Sequence, residues 1–235
     1  SGGPTAVINA SLAGVIRAAL ASSQIDRVLG AVDGSRGLLN EELIDLGCED
    51  AHTLGLLSQT PGAALGTSRL KLKEEHLDRL LSVFKAHDVR YFCMIGGNDS
   101  MDTVHQIGQM ALARHYELHA MGVPKTVDND LACTDHCPGY GSAAKYIATS
   151  CMEVAKDASV YDVGQVTVIE IMGRHAGWLA GAAALASKFG EGPNLVYLPE
   201  VPFDMEKFLA DVEKIYKSKG NVLAAVSEGI HYADG

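Results

Sequence analysis

The continuous apolar run VRYFCMI at residues 89–95 stops at two glycines, and NDSMDT follows, where a helical pattern begins. A run of that kind, without polar alternation, reads as a strand covered on both faces, as in a parallel sheet. Strand, glycine turn and helix start in that order leave backbone N–H groups pointing out of the turn, which makes a ready anion site. The turn nevertheless carries the carboxylates Asp99 and Asp102. A phosphate cradle that holds negative charge is the feature any functional reading has to explain.

The alternation continues along the chain. Residues 27–34 are β-rich, and 73–88 place Leu77, Leu80, Leu81 and Phe84 at i, i+3, i+4 and i+7 of a helix. Ser100 is read as the cap of the helix after the glycines, with Met101, Val104, Gly108 and Ala111 on one face. Strands are expected at 116–124, 164–173, 194–200 and 221–229, and helices at 142–157, 175–189 and 204–219. Repeated β-α units predict an α/β fold with a mainly parallel sheet. The Gly/Pro-rich loop 135–142 is the expected hinge, dividing domains 1–138 and 139–235. In such folds ligands bind at the carboxyl ends of strands, where GGNDS, PKTVDND, MGRHAG, LPE and SEG all fall.

Charge limits the partners. A formal net charge of −10 over 235 residues disfavours a nonspecific nucleic-acid binder, which needs clustered Lys and Arg. Five cysteines, an odd number with Cys93 inside a probable buried strand, suit a reducing compartment and a cytoplasmic protein. The small-apolar run 176–186 is too short to span a bilayer. The chain opens on SGGPTAVINAS with no strand ahead of its glycines and is read as cut at its start.

Taken singly, the motifs have plain alternatives. SGG before an apolar helix can cradle a phosphate or simply turn. GGNDS offers the oxygens of Asn98 and Asp99 to a hard cation such as Mg²⁺, or is an Asx turn. PKTVDND collects Lys125, Thr126, Asp128 and Asp130 after a strand, a cation, a hydroxyl and two carboxylates fit for phosphoryl transfer, or else a polar loop. Arg174 in MGRHAG suits bidentate phosphate contact, with pairing to a local acid as its rival. Arg69 reads as a surface arginine, CTDHC has too few ligands for zinc, and Trp178 is expected to pack.

In their joint order, SGG…N, GTSR, GGNDS, PKTVDND, MGR, PE and SEG, these segments resemble the phosphofructokinase family from Ser1 to about Gly229. The resemblance implies two Rossmann-like three-layer α/β domains with mainly parallel sheets. One binds the phosphoryl donor with Mg²⁺, and the other, incomplete at its C-terminus here, binds fructose 6-phosphate. By position, Gly3 approaches the donor phosphates and Arg69 the transferred group. Asp128 is the base on the sugar 1-hydroxyl, in a loop with Lys125, Thr126 and Val127. Met172, Gly173 and Arg174 meet the sugar phosphate, and Glu228 a sugar hydroxyl. Asn98, Asp99 and Asp130 are the implied Mg²⁺ ligands, although Asn98 stands where the family commonly has Asp. ATP-using members usually carry glycine at positions 99 and 125, whereas pyrophosphate-using members resemble this chain, with an acid and a lysine. A carboxylate at 99 occupies the space of a nucleotide α-phosphate and repels it. The resemblance thus implies a pyrophosphate-dependent enzyme in a homo-oligomer, dimer or tetramer. An ATP-dependent member, or a noncatalytic sugar-phosphate-binding subunit, remains the alternative.

Overall fold

The run that ends in the glycine pair forms β3 (Tyr91–Gly96) of a computed structural model that describes residues 1–234. The chain divides into two compact units, Ser1–Thr126 and the part from Val127 onward. The division thus falls at 126/127 and not at the expected 138/139. The loop after Thr126 belongs to the second unit because its polar groups are satisfied there. Asn129 Oδ1 accepts the Cys137 N–H at 2.7 Å, its Nδ2 donates to the Asp135 carbonyl at 3.2 Å, and Arg174 pairs with Asp128 and Asp130.

In the first unit, α1 (Ile8–Leu20) precedes β1 (Leu29–Ala31), α2 (Ser35–Asn40), β2 (Leu43–Asp45), α3 (Ala51–Gln59) and α4 (Glu74–Ala86). After β3 come α5 (Asn98–Ala113) and β4 (His119–Pro124). β3 and β4 pair in parallel with Gly96 opposite Pro124, so both strands end side by side. β1 and β2 form a short antiparallel pair. Leu80, Val83 and Phe84 of α4 pack with Leu38 and Ile107, while Ile16, Leu46 and Leu54 make a separate cluster. An apolar cavity of about 770 Å³ is lined by Leu12 and Ile16 of α1, by β1 and by Phe92 and Met94 of β3.

α5 begins earlier than the sequence suggests. Gly97 is its cap and Ser100 lies inside the first turn, buried. Ser100 packs on the glycine pair instead of capping: a Cβ on Gly96 would sit 2.0 Å from Ser100 Oγ, so only glycine fits there.

The second unit holds α6 (Tyr140–Ala158), β5 (Val166–Ile171), α7 (Trp178–Ala182), β6 (Leu195–Tyr197), α8 (Met205–Lys219) and β7 (Val222–Ser227). Its sheet has the order β5-β7-β6 and is parallel throughout. Ile171, Cys151 and Leu179 pack with Ala180, Ala183, Ala186 and Ala225. The expected helix 175–189 is α7 followed by a 3-10 helix, Ala183–Phe189, whose small side chains permit close approach to α6. Trp178 is not the packing residue anticipated: it is 55% exposed, with its ring edge-on to Tyr140 at 6.4 Å.

Candidate active site

Parallel pairing dictates where the polar residues go. Strands of one direction end on the same edge, so GGNDS after β3 and the start of PKTVDND after β4 are neighbours in the first unit. The Lys125 N–H donates to the Gly96 carbonyl at 3.0 Å, closing that edge. Across it, the N-terminal glycine turn is tied to the 66–69 loop. Gly2 N–H donates to the Ser68 carbonyl at 3.1 Å, and Thr67 Oγ1 donates to the Gly2 carbonyl at 2.5 Å.

Two cations meet at this turn. Lys125 is buried, and its Nζ donates to the Gly3 carbonyl at 2.7 Å. An Arg69 guanidinium nitrogen lies 3.5 Å from where a Gly3 Cβ would be. Gly3, Arg69 and Lys125 are therefore brought together as the motif order implies, with buried Thr126 next in the chain. Asp99 stands in the first turn of α5, where a carboxylate complements the helix dipole, and pairs with Lys71 at 3.5 Å. Both side chains are largely exposed, so the pair contributes about 0–1 kcal/mol.

In the second unit the carboxyl ends of β5, β6 and β7 carry the polar set. Arg174 Nη2 is 3.1 Å from Asp130 Oδ2 and 3.5 Å from Asp128 Oδ2. The guanidinium is thus engaged with local acids, while Met172 is exposed. Glu228 Oε1 accepts both the Gly173 and Arg174 N–H groups at 2.9 Å, and these bonds hold its carboxyl below the usual range. Asp128 goes the other way. Burial pushes its carboxyl up and the Asp130 and Glu228 charges add to this, while Arg174 opposes them. A buried carboxylate of raised pKa binds a proton more readily than a free one, as a general base requires. Val127 packs against the apolar core beneath this loop.

The oxygens named as metal ligands divide between the units: Asn98 and Asp99 at the start of α5, Asp130 beside Asp128. Among the described residues no group of three or more His, Cys, Asp or Glu is arranged around a metal position. Mg²⁺ in phosphoryl-transfer sites usually takes only one or two carboxylates and completes its shell from phosphates and water, so the oxygens of Asn98 and Asp99 in the first unit, and that of Asp130 in the second, each have the donor chemistry it takes.

Three residues escaped the sequence reading. Lys71 lay inside the quoted GTSRLK without a role. Asn9 is buried and holds the loop that leads to Arg69, donating to the Thr60 carbonyl at 2.8 Å and accepting from Ala64 N–H at 2.7 Å. Glu200 accepts the Gly177 N–H at 2.7 Å. Asn9 and Glu200 had a legible signal, as the last letters of SGG…N and LPE, but neither was given a role.

Comparison with known proteins decides the family, since the phosphofructokinase model matches residues 1–235. The chain belongs to the phosphofructokinase family. This phosphofructokinase chain is 51% identical over 243 residues to the pyrophosphate–fructose 6-phosphate 1-phosphotransferase of Xanthomonas campestris pv. campestris, covering 100% of the chain and 58% of the relative. It is 43% identical to the like-named protein of Rhodospirillum rubrum, again over 100% of the chain and 58% of the relative. The crystal structure of a pyrophosphate-dependent phosphofructokinase from Nitrosospira multiformis superposes with a TM-score of 0.92 at 47% identity, covering 100% of this chain and 60% of that one. The chain therefore spans about three-fifths of the length of these relatives.

Proposed function

We propose that the whole protein is a pyrophosphate-dependent 6-phosphofructokinase. It reversibly transfers a phosphoryl group from pyrophosphate to the 1-hydroxyl of fructose 6-phosphate, yielding fructose 1,6-bisphosphate and phosphate. The observation that carries this reading is the Lys125 ammonium on the Gly2–Gly3 turn, with Asp99 at the helix start in the same unit. The names of the relatives at 43–51% identity support it. The first unit would take the donor and the second the sugar phosphate.

In the proposed reaction Asp128 accepts the proton of the sugar 1-hydroxyl as its oxygen attacks one phosphorus of pyrophosphate. The bridging P–O bond breaks, and inorganic phosphate leaves with the electron pair. Lys125 and Arg69 hold the donor phosphates and oppose charge that grows on the leaving oxygens. Thr126 offers a hydroxyl in the same loop. Mg²⁺, held through Asn98 and Asp99 in the first unit or through Asp130 in the second, would neutralise phosphate charge when bound. Met172, Gly173, Arg174 and Glu228 would bind the sugar phosphate, so Arg174 exchanges its contact with Asp130 for one with the ligand phosphate. Asp99 would exclude a nucleotide α-phosphate by charge and volume.

A homo-oligomer in the cytoplasm is part of the proposal, and five free cysteines and the lack of a helix long and apolar enough to cross a membrane, among the described residues, are compatible with it. The test is an assay of the intact protein with fructose 6-phosphate and Mg²⁺, offered either pyrophosphate or ATP. Turnover with pyrophosphate and not with ATP is expected. Turnover with ATP alone would reject the donor assignment, and sugar-phosphate binding without turnover under either donor would reject the enzyme.

A further inference from the structure

Arg174 has a positive φ of 52°, unusual for a residue with a side chain. Such a backbone is strained and persists only where its surroundings hold it. Gly173 before it has φ 139°, and the Ala176 N–H donates back to the Gly173 carbonyl at 2.9 Å, so residues 173–176 form a tight turn. The side chain that faces Asp128 and Asp130 points where this turn aims it.

Two carboxylates hold the turn, one at each end. Glu228, just beyond β7, takes the Gly173 and Arg174 N–H groups. Glu200, just beyond β6, takes the Gly177 N–H, the cap position of α7. The fit at Gly177 is close: a Cβ there would lie 2.3 Å from Glu200 Oε2 and 3.0 Å from Pro199 Cδ. The carboxylate lies flush on the backbone and fixes where the turn stops and α7 starts. Without it, residues 175–177 gain freedom and the left-handed Arg174 loses one of its two anchors.

We infer that Glu200 is a positioning residue, setting the aim of Arg174 toward a sugar phosphate through the Gly177 backbone. This rests on the sugar-phosphate reading of the second unit. The contact needs an acceptor oxygen at the right reach, and a carbonyl serves as well as a carboxylate.

The test compares Glu200→Ala, Glu200→Gln and Arg174→Ala in the intact protein, measuring kinetics and calorimetric binding of fructose 6-phosphate. Loss of one charge-assisted bond that aims the guanidinium is expected to raise KM and Kd for fructose 6-phosphate about tenfold in Glu200→Ala. kcat and the KM for pyrophosphate should stay within about twofold, and Glu200→Gln should behave as the parent. In the Arg174→Ala background, Glu200→Ala should add nothing, because its effect runs through that side chain. Additive losses, a Gln variant as impaired as Ala, or an equal fall in kcat would overturn the inference while leaving the enzyme reading intact. A parent protein that fails to bind fructose 6-phosphate would overturn both. Should Glu200→Ala not fold, Glu200→Asp, one methylene short of the Gly177 N–H, should show the same selective KM rise. Parent-like binding by it would count against Glu200.

Discussion

Replacing Lys125 separates two jobs that one side chain performs. The residue is buried, and its Nζ donates to the Gly3 carbonyl at 2.7 Å. Lys125→Met keeps most of the stem volume and removes the charge. Losing one charge-assisted phosphate contact, about 1.5–3 kcal/mol, should raise the KM for pyrophosphate roughly 10–100-fold. Losing the Gly3 partner should cost about 1 kcal/mol of folding stability. Lys125→Gly, the change toward the ATP-using pattern, also strips the four buried methylenes. At about 0.8 kcal/mol each that is roughly 3 kcal/mol more, before any cavity penalty. Urea unfolding of the intact protein, followed with pyrophosphate kinetics, reads both quantities. The two variants should share the donor defect and differ by about 3 kcal/mol in unfolding free energy. Equal unfolding of the two would show that the stem is not packed. An unchanged KM for pyrophosphate in both would show that the ammonium does not meet the donor.

Asp128→Ser is expected to lower turnover by at least ~10²-fold, the usual contribution of a positioned base, while fructose 6-phosphate binding by calorimetry stays largely intact. Asp99→Gly should be well tolerated, since it gives up an exposed pair and a favourable helix-start charge worth together about 1–2 kcal/mol. It should admit ATP weakly, more so combined with Lys125→Gly, and no ATP binding in either variant would end the exclusion argument. If Asp128 is the base, it must be ionised to act, and since its pKa is raised the acid limb of kcat/KM should lie above that of an ordinary aspartate. Asp130→Asn removes a charge that raises it, so the limb should move to lower pH, and an upward move would contradict the assignment. The linked stability effect has the opposite sense: a raised carboxyl disfavours the folded state while ionised, so its penalty disappears as pH falls through the raised pKa.

Most of the fold was legible because both units repeat strand, turn and helix, and each long element carries its own period. β3, α4 and α8 fall where hydrophobic spacing puts them. The sequence reading passed over α2, β2 and α3. They are 6, 3 and 9 residues long, too short for a period to rise above the noise, and α2 starts from a glycine with no side-chain cap. The domain boundary was misplaced for a different reason. Glycine and proline mark flexibility of the backbone, whereas residues 127–139 fold on their own Asn129 bonds and are tied to the second unit by Arg174, 44 residues beyond Asp130. The same limit hid the role of Glu200: LPE was read as a strand-end motif, but its bond spans 23 residues and its partner Gly177 could not be named locally. By contrast, the proximity of Lys125 to Gly3, a separation of 122 residues, was implied because the order of motifs stands in for the contact map of a family.

A chain with net charge −10 that took two phosphate-bearing ligands, as proposed, would have to concentrate its few useful cations, and the two units do so differently. In the first, Lys125 donates to the Gly3 carbonyl and Arg69 lies beside Gly3, so both cations gather at a glycine turn. Such a turn, with backbone N–H groups and cations together, suits an anion. In the second, Arg174 lies on Asp130 and Asp128, and an anion has to compete for it. The competition has a chemical consequence. Arg174 is the group that opposes the rise in the Asp128 pKa, so a ligand phosphate that draws the guanidinium away removes that opposition. The base would then gain proton affinity when the sugar phosphate that supplies the proton is bound. On the proposed reading, the ion pair of Arg174 with Asp128 and Asp130 would thereby couple sugar-phosphate binding to proton transfer.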